Sequence, residues 1–236
     1  MKELIIFGRN AIIEALNSGK QVEKIYLAHD SHLPRKFYEL ARNKGVKVQK
    51  VSRKKVEELA GTKKTQGVVA ILSPVEYRTP HELFKETILR KTFFIVPDHI
   101  SDPQNLGNLL RTCEVLGGTG ALLPKERTSP VNNVVVKASS GAIFHLIMAK
   151  TVNLSRELRN FKKEGGWVVA VEKGGRDIRQ VSIPKPCGLV LGAEDRGVSK
   201  NILKLADLIV TIPMKGRVGS LNVGSAGAIA MWEAMR

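Results

Sequence analysis

Cysteine is close to absent from this chain of 236 residues: only Cys113 and Cys187 occur, far apart and without neighbouring metal-ligand types. They support neither a disulfide framework nor a C-x-x-C metal site. The five histidines, His29, His32, His81, His99 and His145, fall in no ligand spacing, so surface or core roles are expected for all of them, and no metal. Aromatic residues make up 5% of the chain, too few for a platform that grips single strands by stacking successive bases. No apolar run approaches the roughly 20 residues that span a bilayer. The opening Met1-Lys2-Glu3-Leu4 carries an acid where a secretory signal would be purely basic, so a cytoplasmic protein without a membrane partner is expected.

Acid is the other scarcity. Against 38 Lys plus Arg stand 22 Asp plus Glu, a formal charge of +16 and a pI near 10.0. Such a surplus attracts polyanions, and nucleic acid is the leading candidate, a merely solvated basic surface being the alternative. Residues 1–90 hold 18 basic and 10 acidic residues and residues 91–236 hold 20 and 12, so each part carries +8 and the shorter one is the more densely basic. Both parts are expected to touch the polyanion.

What is present is the composition of a folded protein: 43% hydrophobic, 25% charged and 21 glycines spread along the chain exclude disorder, collagen and coiled coil. The length suits one large domain or two small ones. In the first seventy-odd residues, apolar runs at 4–7, 25–28, 46–51 and 67–72 alternate with helical periodicity at 9–19, 34–45 and 53–61, ending at Gly19, Gly45 and Gly61. That pattern predicts a small α/β domain over 1–74. Pro74, Pro80 and the polar residues between them predict a linker over 75–90, with a short helix in 81–90. From 91 to 236, strand-like runs at 93–96, 120–124, 167–171, 188–192 and 208–213 alternate with helical segments near 105–116, 153–164, 199–205 and 221–235, which predicts a parallel sheet.

Ligands of such sheets bind beyond the carboxyl ends of the strands, and three segments there stand out. After 93–96 come Asp102-Pro103, a capping Asn105 and Arg111 within a helix; after 188–192 comes the glycine-bounded Leu191-Gly192-Ala193-Glu194-Asp195-Arg196-Gly197; after 208–212 come Pro213, several glycines and Ser220, ahead of a helix of small residues. Each has a plainer reading: a turn with a helix cap, a solvated loop with a surface ion pair, and tight helix packing. The glycine-rich 215–224 matches neither the P-loop order nor G-x-G-x-x-G, so no triphosphate or dinucleotide site is indicated.

Taken together, the three segments resemble the signature motifs of the SpoU-type ribose 2′-O-methyltransferases of the SPOUT superfamily. They stand here as Asp102-Pro103-Gln104-Asn105-Leu106-Gly107 with Arg111-Thr112, the 191–197 loop, and Ile212-Pro213-Met214 with Gly216, Ser220-Leu221-Asn222-Val223 and Ala226. Residues 8–16 and 65–71 resemble the small substrate-binding domain, similar to the ribosomal protein L30e fold, that precedes the catalytic domain in some members. With Lys137-Ala138-Ser139-Ser140-Gly141-Ala142, the pairing most resembles enzymes that methylate a guanosine ribose in large-subunit ribosomal RNA, with transfer-RNA enzymes of the same family as the nearest rival. The stretch 142–150 departs from the family, where a more open loop with a proline is expected.

The resemblance implies a C-terminal deep trefoil knot, S-adenosylmethionine as cofactor, a homodimer and ribosomal RNA (or transfer RNA) as partner. It implies catalytic roles for Asn105, Arg111, Glu194, Ser220 and Asn222, and cofactor contacts at Leu191, Gly192, Ala193, Ile212, Pro213 and Leu221. For Asn105 and Ser220 helix capping alone is the competing role, and for Glu194 holding its loop. In the N-terminal domain Arg9, Asn10, Lys63, Lys64 and Gln66 are expected to meet RNA, because glycine-flanked basic loops can approach phosphates closely; an ordinary helix start at Asn10 is the alternative. A non-enzymatic RNA-binding or ribosome-assembly protein is the rival from another class, and the presence of all five catalytic-type residues argues against it.

Overall fold

The computed structural model describes residues 4–18, 22–73 and 75–236. The N-terminal unit runs β1 (Leu4–Phe7), α1 (Arg9–Asn17), β2 (Val22–Ala28), α2 (Arg35–Asn43), β3 (Lys47–Val51), α3 (Arg53–Ala60) and β4 (Val68–Leu72). Its sheet has the order β1-β4-β2-β3, with β4 antiparallel to both neighbours and β2 parallel to β3. Alternation along the strands sends Leu4, Ile6, Ile25 and Leu27 to the face covered by α1 and α2, while Ile5, Phe7 and Tyr26 meet Val56 and Leu59 of α3 on the other. The helix end expected at Gly19 and the domain boundary at Pro74 lie outside the described residues.

The second unit runs α4 (Pro80–Arg90), β5 (Phe93–Asp98), α5 (Pro103–Val115), β6 (Gly120–Pro124), α6 (Asn133–Ala138), β7 (Ile147–Thr151), α7 (Leu154–Lys163), β8 (Trp167–Asp177), β9 (Cys187–Gly192), α8 (Lys200–Leu203), β10 (Leu208–Thr211) and α9 (Val223–Met235). Six strands in the order β10-β8-β9-β5-β6-β7 are all parallel, as the alternation of apolar runs and helices requires. Helices α5, α6 and α9 cover one face, and α4, α7 and α8 the other. The strands buried on both faces read as unbroken apolar runs, which is why they were visible in the sequence.

Two elements were not. Residues 133–138 and 147–151, left without assignment by periodicity, form α6 and the edge strand β7, the latter paired with β6 after a single 3-10 turn at Ala142–Phe144. Of the linker expected over 75–90, the short helix in 81–90 is present as α4, but its assignment to a linker is corrected. Thr79 and Glu82 form a capping box, and α4 buries Leu83 and Phe84 beside Phe94 and Phe161, so residues 80–90 belong to the core of the second unit. Just before it, the Arg78 N–H donates to the Met148 carbonyl of β7 at 2.9 Å.

The units meet along the free edge of β1. The Ile5 N–H donates to Asn133 Oδ1 at 2.9 Å, Lys137 Nζ lies 4.5 Å from the Phe7 ring centre, and His145 Nε2 is 3.3 Å from Glu14 Oε2. The substrate-binding and catalytic expectations therefore fall on two bodies that share an interface rather than on beads joined by a tether.

Candidate active site

The site assembles from three helix or strand ends. At the start of α5, Asp102 accepts from the N–H groups of Gln104 at 3.0 Å and Asn105 at 3.4 Å, and Pro103 takes the first helical position, where no N–H is needed. This fixes the first turn, from which the Asn105 side chain projects. At the start of α9, Asn222 Oδ1 accepts from the Gly224 N–H at 2.9 Å. That bond orients the amide, so Nδ2 is left to donate, and it does so to Asn105 Oδ1 and to Glu194 Oε1, both at 3.0 Å. The Val223 N–H donates to the same Glu194 oxygen at 3.0 Å, placing a carboxylate on the positive end of α9. Asn105, Glu194 and Asn222, separated by up to 117 positions, thus form one hydrogen-bonded cluster.

Beside it lies a cavity of about 280 Å³ whose walls include Leu191, Gly192, Ala193, Glu194, Ile212, Ser220 and Leu221. Pro213 stands between the lining residues Ile212 and Met214 without lining the cavity itself. The walls suit a cofactor with a flat apolar base and a polar tail: aliphatic side chains face the space, while the backbone N–H groups of Met214, Ser220 and Leu221 have no acceptor among the described residues. Ser220 is exposed and makes no hydrogen bond there.

Two glycines let the loop close. A Cβ on Gly192 would lie 2.1 Å from the Gly197 carbonyl carbon, and Gly197, at φ +65°, would meet Glu172 Oε2 at 2.2 Å. Glu172 is a residue the sequence reading missed. Its Oε2 accepts from the Val198 N–H at 2.6 Å and ties the far end of the loop to β8. The available signal was an acid directly after the apolar run 167–171, although β8 continues to Asp177 and holds Glu172 within the strand.

Arg111 is not part of the cluster. It lies farther along α5, exposed, in an apolar groove with Val115, Ile229 and Trp232, and its side chain has no hydrogen bond or ion pair among the described residues. Arg111 does not pair with Glu194, which binds Asn222 and Val223 instead.

In the N-terminal unit, Arg9, Asn10 and Gln66 line one open hollow with His32 and Arg53, while Lys63 and Lys64 are exposed outside it. The Arg9 N–H donates to Gln66 Oε1 at 2.9 Å and Arg9 Nη2 to the His32 carbonyl at 3.1 Å. Arg53 Nε reaches Asp30 Oδ2 at 2.7 Å, and that guanidinium holds the Asp30 carboxyl below its ordinary range. His32 and Arg53 had not been singled out.

A parallel sheet whose carboxyl edge carries a loop-walled cavity and an Asn–Glu–Asn cluster, preceded by a basic α/β domain, is the architecture of a two-domain RNA-modifying transferase. Residues 92–232 match the SpoU rRNA Methylase family, and residues 5–78 match the family described as RNA 2′-O ribose methyltransferase substrate binding. A Bacillus subtilis protein assigned to the TrmH family of tRNA/rRNA methyltransferases is 35% identical over 98% of this chain and 94% of its own length. A tRNA/rRNA methyltransferase of Archaeoglobus fulgidus is 34% identical over 96% of both. Among solved structures, an AdoMet-bound rRNA methyltransferase from Sinorhizobium meliloti superposes with a TM-score of 0.82 at 25% identity, covering 98% of this chain and 86% of that one. The chain belongs to the SpoU methyltransferase family, whose members transfer methyl groups from S-adenosylmethionine to RNA.

Proposed function

We propose that this protein uses S-adenosylmethionine to methylate the 2′-oxygen of a ribose in RNA, with a guanosine of large-subunit ribosomal RNA as the target, and that it acts in the cytoplasm as a homodimer. The observation that carries the reading is the hydrogen-bonded set Asn105–Asn222–Glu194 standing beside the 280 Å³ cavity. The cofactor, held by the backbone of the 191–194, 212–214 and 220–221 segments, supplies an electrophilic methyl on a sulfonium. The chain's own task is to orient a neutral hydroxyl toward it and exclude water, since in-line positioning provides much of the benefit.

Asn105 Nδ2 has no acceptor among the described residues and is available to the ribose, while Asn222 and Glu194 lock its orientation. Ser220 lines the same space and supplies a hydroxyl. The ribose hydroxyl must lose its proton, yet a guanidinium with a pKa above about 12 is no ordinary base. Arg111 accordingly holds the adjacent RNA phosphate and polarises the hydroxyl, with a phosphate oxygen or a transiently neutral Arg111 taking the proton. The exposed apolar side chains Val115, Ile229 and Trp232 support α5 and α9 as the dimer face, which puts Arg111 at the subunit boundary. The return of α9 from edge strand β10, past β8, to the loop after β9, where the Val223 N–H donates to Glu194 Oε1, supports the knotted threading of the C-terminal part. The net charge of +16 and the hollow at Arg9, Asn10 and Gln66 support RNA capture by the N-terminal unit, with Lys63 and Lys64 flanking it.

Transfer RNA is the second reading, favoured by relatives whose names give both RNAs. Incubation with methyl-labelled S-adenosylmethionine and unmodified transcripts of large-subunit ribosomal RNA or transfer RNA tests both. Mapping of ribose methylation in RNA from cells lacking the protein identifies the nucleotide. Label in transfer RNA alone rejects the ribosomal target, and label in neither rejects the enzyme.

A further inference from the structure

The carboxyl edge of the six-stranded sheet carries a second hollow, of about 440 Å³, over the ends of β5, β6 and β7. It lies on the α7 and α8 side, whereas the cofactor cavity lies on the α9 side. One loop divides them. Residues Gly192–Gly197 wall the cofactor cavity, and two residues on, Ser199 walls the second hollow, where its N–H donates to Asp98 Oδ2 at 2.7 Å. Asp98 and Gly192 are paired neighbours on β5 and β9, so the two spaces are about one strand spacing, ~4.8 Å, apart at the sheet edge.

The chemistry of the second hollow is that of an anion site. Asp98 is buried, but both of its oxygens are engaged, Oδ2 by Ser199 and Oδ1 by His99 Nδ1 at 2.7 Å. With Nδ1 against the Asp98 carboxylate, the His99 Nε2 is the ring nitrogen without a partner among the described residues. Lys125 and Arg127 line the hollow, exposed and without an ion pair among the described residues. The α7 N-terminus adds the N–H groups of Leu154 and Ser155, which have no acceptor there. Glu126, on the rim, is the one opposing acid besides the occupied Asp98.

We propose that this hollow holds a phosphodiester of the substrate RNA strand flanking the modified nucleotide, bound by Lys125, Arg127 and the His99 ring. The inference rests on the RNA-methyltransferase reading and deepens it. A strand that lays a ribose against Asn105 and continues along the sheet's carboxyl edge meets this depression next, and the cations there have no ion-pair partner among the described residues. The strand would then run over the 192–199 loop that walls the cofactor cavity, so that gripping the RNA and shaping the cofactor cavity share one segment.

The test uses the full-length protein and an unmodified transcript of large-subunit ribosomal RNA. The K125Q/R127Q double variant is compared with wild type by filter binding between 50 and 300 mM KCl, with S-adenosylmethionine affinity read by calorimetry. The expected result is an RNA Kd raised about tenfold or more at the low-salt end, a salt slope smaller by about 1 to 2, and cofactor affinity within about twofold of wild type. The charge-preserving K125R/R127K variant is expected to restore both RNA affinity and slope. Unchanged RNA affinity and slope in K125Q/R127Q overturn the inference while leaving the enzyme reading intact. Equal weakening in K125R/R127K overturns it as well, since shape rather than charge would then matter. Wild-type protein that binds the transcript but transfers methyl neither to it nor to transfer RNA sinks the enzyme reading separately.

Discussion

The Nδ2 of Asn222 lies 3.0 Å from Oε1 of Glu194, and the same amide's Oδ1 caps the first turn of α9 through Gly224. One side chain thereby starts a helix and orients the loop that follows β9. The two duties are separable by substitution, because serine caps a helix about as well as asparagine but lacks the amide donor.

Asn222→Ser should keep the thermal midpoint close to wild type yet lower methyl transfer by about two orders of magnitude. Asn222→Ala should lose that activity and, in addition, about 1 kcal/mol of stability. Paired melting curves and labelled-methyl assays check this; an active Asn222→Ser enzyme would reduce the residue to a cap.

Arg111→Ala should bring turnover below detection while S-adenosylmethionine affinity stays within about twofold, because Arg111 lies outside the cofactor cavity. Single-turnover assays beside cofactor calorimetry make the comparison. Near-normal turnover would remove Arg111 from the chemistry.

Gly192→Ala forces a methyl group to within 2.1 Å of the Gly197 carbonyl carbon, and backbone must move to relieve it. The displaced 192–197 loop should cost about tenfold or more in cofactor affinity, equivalent to ~1.4 kcal/mol, with a folded protein by circular dichroism. Unaltered affinity would show that the loop does not shape the cofactor site.

Trp232 is 53% exposed beside Ile229 and Val115, an arrangement that water disfavours. Trp232→Glu should shift the mass measured by light scattering from two chains to one of 25.9 kDa. Wild-type protein already at the single-chain mass would refute the homodimer.

Burial pushes the Cys113 and Cys187 thiols up to about 12 from an ordinary 9.0, because a thiolate there would be stripped of water. Both should resist alkylation at pH 8 until the protein is unfolded. The linkage follows with its sign: the unfolded chain releases these protons first, so stability contributed by the neutral thiols is present below about pH 9 and is lost as pH rises toward 12. Replacing both cysteines by alanine should flatten that alkaline limb in pH-dependent melting.

The sequence by itself determined the strands and most helices, because segments buried on both faces of a parallel sheet must be apolar without interruption, and helix ends carry capping residues such as Asp102 and Asn222. It also determined which three loops carry polar residues at strand ends. Only the tertiary structure decided that Asn105, Glu194 and Asn222 touch while Arg111 faces a different groove, since contacts across 28 and 117 positions depend on strand order rather than on local period. The five-residue edge strand β7 and the six-residue α6 escaped the reading for the same reason: brief segments have too few positions to show a period, and their packing and pairing partners supply the missing specification. The short helix in 81–90 was legible but read as part of a linker, because Pro80 and the polar residues before it mask the burial of Leu83 and Phe84, which is settled only by the aromatic cluster that Phe84 joins.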